Sequence, residues 1–239
     1  MGSKGGVQDS DAFEAMLEQG AAALGIDLAS EAVLALATYH AELKRWSGKV
    51  NLIAKHSTDR QIAESHFLDS LTLLPLLPAG ARLLDIGTGA GFPGLVCKAA
   101  RDDLLVTLVE PRLKRVSFLR HIVRTLGLQG VEILAVRIEE QQLLSPASEF
   151  THITSRAVAD IAGFLTMTSR FMRPGSRLVC MKGPKWQEEL SAAGALLDTL
   201  PVVLTEVVEQ TLPYSGALRV LLVFAVSGEA VLAKSADFC

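Results

Sequence analysis

Residues Arg82–Gly94 read RLLDIGTGAGFPG, and the fold follows from the change of character midway along them. Arg82, Leu83, Leu84, Asp85 and Ile86 form a run apolar enough for a buried strand, which passes without a spacer into Gly87, Gly89, Gly91 and Gly94. Nothing from Phe92 to Ala100 breaks a helix after Gly94, so the unit reads strand, tight loop, helix. Glycine has no Cβ and tolerates positive φ, so such a loop lets backbone approach a ligand closely. Gly89–Gly94 fits the dinucleotide pattern G-x-G-x-x-G, yet Pro93 has no N–H to offer a pyrophosphate. The tighter reading is Gly87-Thr88-Gly89-Ala90-Gly91 headed by Asp85, with a purely structural turn as the alternative; no Gly-Lys-Ser/Thr follows to make a P-loop.

Downstream of the loop, strand and helix alternate. Leu104–Val109 is a β-rich run ended by Glu110-Pro111, Arg112–Leu126 an amphipathic helix closed by Gly127, and Val131–Val136 a strand before a helix start at Glu139-Glu140-Gln141. Phe150–Thr154, a helix over Asp160–Met172, a strand over Arg177–Met181 and a helix over Pro184–Thr199 follow. This alternation predicts parallel strands joined by crossover helices, hence an α/β doubly wound sheet. Val202–Val208 and Leu218–Val226, joined by Pro213-Tyr214-Ser215-Gly216, add an antiparallel hairpin at one edge.

Upstream, residues 1–10 read as a disordered tail and 11–80 as a helical extension, leaving 81–239 as the α/β domain. Helices are expected over Asp11–Leu24, over Ser30–Trp46 with Ser30 as N-cap, and from Ser57, Thr58 or Asp59 to about Leu77, where Pro75 and Pro78 end it.

The bulk properties narrow the function. The chain has 239 residues, 49% hydrophobic and 21% charged, with net charge −3 and pI near 6.0. Any nucleic-acid contact must therefore be a local basic patch. Cys97, Cys180 and Cys239 are few and widely spaced, so neither a disulfide framework nor a metal site is expected, and a reducing cytoplasm is the natural setting. MGSKGGVQDS lacks the apolar core of a signal peptide, and no apolar run nears the roughly 18 residues of a membrane span.

Glu110 ends the second strand, about 20 residues past the glycine loop, where an acid accepts hydrogen bonds from ribose hydroxyls. The five histidines and two tyrosines sit in no dehydrogenase-like acid–base pairing. The pattern D-x-G-x-G-x-G resembles the first motif of class I S-adenosylmethionine-dependent methyltransferases, whose loop wraps the methionine end of the cofactor. Asn51-Leu52, Ser65–Ser70, Leu84–Gly94, Lys114-Arg115-Val116-Ser117-Phe118-Leu119, Arg137–Glu140, Ser155-Arg156-Ala157 and Lys182-Gly183 together resemble the GidB/RsmG family, glucose-inhibited division protein B, over roughly residues 30–185. The resemblance departs at Ser65 and Ile53, which bears on RNA contact there and not on the cofactor.

That resemblance implies a class I methyltransferase fold, S-adenosyl-L-methionine as cofactor, and methylation of guanine N7 (guanine 527, in the 530 loop) of 16S ribosomal RNA. The substrate would be free rRNA, the 30S subunit or an assembly intermediate, with the enzyme a monomer. It implies cofactor contacts at Asp85, Gly87, Gly89, Gly91, Phe92, Glu110, Ile138, Glu139 and Arg156, with Arg156 facing either cofactor or target base. Because guanine N7 bears a lone pair and no proton, no general base is expected and catalysis reduces to positioning. RNA contacts are expected from Asn51, His66, Arg120, Arg124 and Lys182. Lys114, Arg120, His121 and Arg124 lie opposite the apolar side of their helix, and Lys44, Arg45, Lys49, Lys55, His56 and Arg60 form a second basic cluster. His66 and Asp69 share a helix face, where a mutual hydrogen bond is the alternative to substrate contact, while Trp46 and Trp186 read as packing residues. Two alternatives stay open: a methyltransferase of a small molecule or other RNA, and a cofactor-sensing module without turnover.

Overall fold

Seven strands form one sheet in the order β3-β2-β1-β4-β5-β7-β6: β1 Arg82–Ile86, β2 Leu105–Val109, β3 Val131–Leu134, β4 His152–Arg156, β5 Arg177–Lys182, β6 Val202–Thr211 and β7 Leu218–Val226. The computed structural model describes residues 4–138 and 149–228. β1 to β5 are parallel, and β7 inserts antiparallel between β5 and β6. The chain steps outward from β1 to β2 and β3, then returns to place β4 on the other side of β1. That reversal opens a crevice at the carboxyl ends of β1 and β4, the place where ligands of open α/β sheets bind. The doubly wound sheet and its edge hairpin are as the alternation predicts.

β1 is central and flanked on both sides, so Leu83, Leu84 and Ile86 are buried and Asp85 is buried with them. One face carries α5 (Gly94–Ala100), α6 (Leu113–Thr125) and the N-terminal helices, packed into a core with Leu83, Val106, Leu108 and Val179. The other face is covered by α7 (Ile161–Thr168) and the segments after β5, around Leu84, Ile86, Ile153 and Phe224.

The N-terminal layer comprises α1 (Lys4–Ala23), α2 (Ser30–Ser47), α3 (Asp59–Ile62), a π-helical segment (Ala63–Leu68) and α4 (Asp69–Leu71). Its aromatic side chains Phe13, Tyr39 and Phe67 are fully buried; Tyr39 stacks on Phe92 and lies tilted against Phe118, Phe67 meets Phe92 edge-on, and Phe13 packs edge-on against Phe67, so one core spans both parts.

Several boundaries differ from expectation. α1 begins at Lys4 rather than Asp11. Ser30 is the first residue of α2, with Ala29 at the cap position and no side-chain cap. Thr58 is the cap of α3, in a capping box with Gln61. The helix expected to reach Leu77 widens at Ala63–Leu68 and ends at Leu71, leaving a 3-10 turn at Leu74–Leu76. The helix expected over Pro184–Thr199 divides into α8 (Trp186–Ala192) and α9 (Gly194–Leu197), and β3 stops at Leu134. The helix start at Glu139 lies outside the described residues.

Candidate active site

A cleft of about 620 Å³ opens over the glycine turn, lined there by Gly87, Thr88, Gly89, Ala90 and Phe92. Its opposite wall is Ser65, His66, Asp69, Arg156, Met181, Lys182 and Arg219. The turn is built from backbone that only glycine adopts easily: Gly87, Gly89 and Gly91 have φ of 72°, 63° and 96°. The N–H groups of Gly87 and Thr88 are tied to the Val109 carbonyl at 2.8 and 3.1 Å, which anchors the turn to the end of β2. A Cβ on Gly87 would lie 2.5 Å from Val158 Cγ2, and one on Gly91 2.1 Å from the Tyr39 hydroxyl. Tyr39, from α2, stands beneath the turn and donates its hydroxyl hydrogen to the Ala90 carbonyl.

Asp85 lies under the turn, fully buried, with Oδ2 accepting from the Gly94 N–H at 2.8 Å. Burial pushes its carboxyl up to about 6, against the pull of hydrogen bonding and of Arg156. The Thr88 hydroxyl, also buried, is a side-chain hydrogen-bond partner of the Asp85 carboxylate, loosely placed beside Oδ1. Glu110 is 2% exposed, and its carboxylate spans the loop: Oε2 accepts from Gly89 N at 3.1 Å and Oε1 from Arg112 N at 2.8 Å. Arg115 lies 3.6 Å from Oε2. A carboxylate has about four acceptor sites, and the two backbone N–H groups fill two of them.

The opposite wall depends on the π-helical segment. Widening the helix makes Asp69 N bond back to the Glu64 carbonyl, and the Ser65 carbonyl beside it is taken by Arg156 Nη1 at 2.6 Å. The same guanidinium donates to Asp69 Oδ2 at 2.7 Å and to His66 Nδ1 at 3.3 Å, and lies 5.2 Å from the centre of the Phe92 ring. His66 and Asp69 are thus joined through Arg156, in place of the direct bond their spacing suggested. Because Nδ1 accepts, the proton of neutral His66 belongs on Nε2. Burial and the adjacent Arg156 hold His66 down at about 4, so it is neutral near pH 7 while its ring stacks on Phe92 at 4.8 Å. Asp69 Oδ1 accepts from Arg219 Nε at 2.8 Å, a contact from β7 that the sequence reading did not anticipate.

Of the expected cofactor residues, Gly87, Gly89, Phe92 and Arg156 line the cleft, and Asp85, Gly91 and Glu110 support the turn from behind. Ile138 does not line it: the residue is buried in the second core, with its carbonyl held by Arg170 at 2.6 Å. Glu139 lies outside the described residues.

Of the expected RNA residues, His66 and Lys182 line the cleft. Lys182 Nζ is engaged, donating to the Ala159 carbonyl at 2.6 Å and pairing with Glu189 at 2.7 Å. Asn51 is exposed at the mouth, where its backbone carbonyl accepts from Arg115 and the neighbouring Leu52 lines the cleft. Arg120 and Arg124 are exposed on α6 and line a separate shallow pocket with Val123, Val131 and Ile133. His121, grouped with them on sequence, turns instead to Glu42 at 2.6 Å and packs on Trp46. Within the second basic cluster, Lys44 pairs with Asp59, Arg45 with Glu42, and Arg60 lies over the Tyr214 ring. Lys49 and Lys55 are exposed and in no ion pair among the described residues. Trp46 and Trp186 are packing residues, as read.

Comparison with known proteins bears on this geometry. The model of the family described as GidB, rRNA small subunit methyltransferase G, matches residues 33–213. The chain is 58% identical over 207 residues to a ribosomal RNA small subunit methyltransferase G of Desulfotalea psychrophila, covering 87% of this chain and 95% of the relative. It is 39% identical over 217 residues to the protein of that name from Myxococcus xanthus, covering 91% and 99%. Among solved structures, TYW2 of M. jannaschii in complex with AdoMet superposes with TM-score 0.51 at 14% identity, over 66% of this chain and 74% of that one. A SAM-dependent O-methyltransferase from Thermotoga maritima gives 0.50 at 16% identity, over 67% and 66%, and these two likenesses speak for the fold alone.

Proposed function

Since this chain belongs to the GidB family of S-adenosylmethionine-dependent ribosomal RNA small subunit methyltransferases, we propose that it methylates N7 of guanine 527 in the 530 loop of 16S rRNA, using the cleft above the glycine turn. The observation that carries this reading is the two-sided character of that cleft. One side is a cradle of positive-φ glycines over a buried carboxylate, and the other a cationic wall around Arg156 and Arg219.

The residues present fit the cofactor. The space above Gly87, which a Cβ would forfeit by clashing with Val158, and the negative charge of Glu110 held beneath the Gly89 N–H suit a charged amino acid joined to a nucleoside. Gly87, Gly89 and Phe92 would hold it at the cleft surface, with Asp85 and Glu110 behind. When bound, S-adenosylmethionine supplies an activated methyl group on a sulfonium.

The chain's own work is then positioning. Guanine N7 has no proton to lose, and His66, neutral and stacked on Phe92, offers an Nε2 donor and an aromatic face. Arg156 locks that wall to β4, so the base would meet a surface already ordered. The natural setting for such a substrate is the cytoplasm, with the enzyme a monomer.

The test is transfer of radiolabelled methyl from S-adenosylmethionine to small ribosomal subunits lacking the modification. Label in 16S rRNA is expected. Label only in small molecules, or cofactor binding without transfer, would favour one of the alternative readings.

A further inference from the structure

Arg219 lies on β7, beyond the stretch that the family model matches, yet its side chain reaches the cleft wall facing the glycine turn. Two of its donors are used: Nε bonds Asp69 Oδ1 at 2.8 Å, and Nη1 bonds the Leu218 carbonyl at 3.0 Å. Nη2 makes no hydrogen bond among the described residues, and about a quarter of the side chain (26%) is exposed. Asp69 is shared between Arg156 and Arg219, so this ion-pair group carries one net positive charge. Lys182, on the same wall, is neutralised by Glu189. The fixed, unspent charge of the wall thus belongs to the Arg156–Asp69–Arg219 group, in which Arg156 is tied to Ser65, Asp69 and His66 while Arg219, the more exposed of the two, keeps Nη2 to donate.

From this we infer that Arg219 is a substrate-positioning residue that grips a phosphodiester of the RNA strand beside the target guanosine. The inference rests on the RNA reading above and adds the contact that orients the strand. A guanidinium held at Nε by a carboxylate is pre-oriented, so its outer edge meets a phosphate oxygen with little further loss of side-chain freedom. Phosphate contacts set the register of a nucleic acid without reading sequence, which is what a site acting on one base requires of its surroundings. The hairpin that delivers Arg219 is itself fixed to the N-terminal layer: the buried Glu64 carboxylate accepts from Tyr214 N at 2.6 Å and Ser215 N at 2.8 Å.

The experiment compares wild type, Arg219→Gln, Arg219→Lys and the double variant Arg219→Gln/Asp69→Asn. Half-saturating concentration of unmodified small subunits, its dependence on salt, and the Kd for S-adenosylmethionine are measured for each. Arg219→Gln should raise the half-saturating concentration about ten- to a hundred-fold, as loss of a charge-assisted hydrogen bond does. Its log–log salt slope should be shallower by about 0.7, the value for one single-strand phosphate contact, with cofactor Kd within about two-fold. Arg219→Lys should keep the salt slope. The double variant separates a phosphate contact from mere neutralisation of Asp69. It should stay as weak as Arg219→Gln, and recovery of wild-type RNA affinity would overturn the inference. So would an unchanged salt slope in Arg219→Gln. If wild type itself fails to methylate the subunits, the functional reading has failed instead.

Discussion

The Tyr39 hydroxyl, on the second N-terminal helix, donates to the Ala90 carbonyl in the middle of the glycine turn. The helical layer therefore holds up the cofactor loop. Tyr39→Phe leaves a buried carbonyl without its donor, so stability should fall by about 1–2 kcal/mol. Affinity for S-adenosylmethionine should fall about five-fold, the equivalent of about 1 kcal/mol. Thermal unfolding and isothermal titration check both, and unchanged cofactor affinity would show that the contact is structural alone.

The glycines of the turn should differ sharply from one elsewhere. Gly91→Ala places a Cβ 2.1 Å from the Tyr39 hydroxyl at a φ of 96°, so it should abolish measurable cofactor binding and lower stability by several kcal/mol, about the cost of strain plus overpacking. Gly194→Ala, at the start of α9 with open space around its Cβ, should be neutral or stabilising by up to about 1 kcal/mol. Denaturant melts of the two variants side by side decide the point.

That comparison also shows how much was legible in the sequence. Strand–glycine–helix punctuation depends on local backbone rules, so RLLDIGTGAGFPG revealed the first strand of the sheet and the turn after it. The opposite wall depends on contacts 87 and 150 residues apart in the chain, Arg156 and Arg219 meeting on Asp69, and no periodicity encodes those. The π-helical widening that frees the Ser65 carbonyl left no trace either, since SHFLDS is compatible with an ordinary helix. Charge counting misled on α6 for the same reason. His121 lies on the polar side of the helix taken alone, but α2 packs there and supplies Glu42. One signal was available: Tyr39, a large polar aromatic in a mainly apolar helical stripe, needed a buried partner for its hydroxyl.

Glu64 should prove the main link between the hairpin and the N-terminal layer. Removing its carboxylate strands two backbone N–H groups, so Glu64→Ala should cost about 2–4 kcal/mol. It should also weaken RNA affinity more than cofactor affinity, because Arg219 rides on the strand that follows. Equal losses of the two affinities would contradict that division.

Stability should fall on mild acidification. The folded-state values of His66 and of His152, the buried first residue of β4 held down by burial and by Arg177, are both depressed to about 4, so their stabilising contribution is complete above the ordinary histidine value of 6.5 and is lost as pH falls towards 4. Asp85 acts in the opposite sense. Raised to about 6, its contribution is complete below the ordinary carboxylate value of 3.8 and is lost as pH rises through 6. Two histidines outweigh one aspartate, so the melting temperature should drop between pH 6.5 and 4. His66→Gln should flatten that decline and Asp85→Asn should steepen it. A melting temperature that rises over this interval in the wild type would refute the assignment.

The most direct measurement of the central claim is the identity of the product. Small ribosomal subunits lacking the modification, incubated with the enzyme and S-adenosylmethionine, are digested to nucleosides and the methylated nucleoside is identified and mapped by mass spectrometry. The proposed function predicts 7-methylguanosine at one position of the 530 loop, lost in Gly91→Ala. Methyl groups on another base, on a ribose oxygen, or at many positions would contradict it.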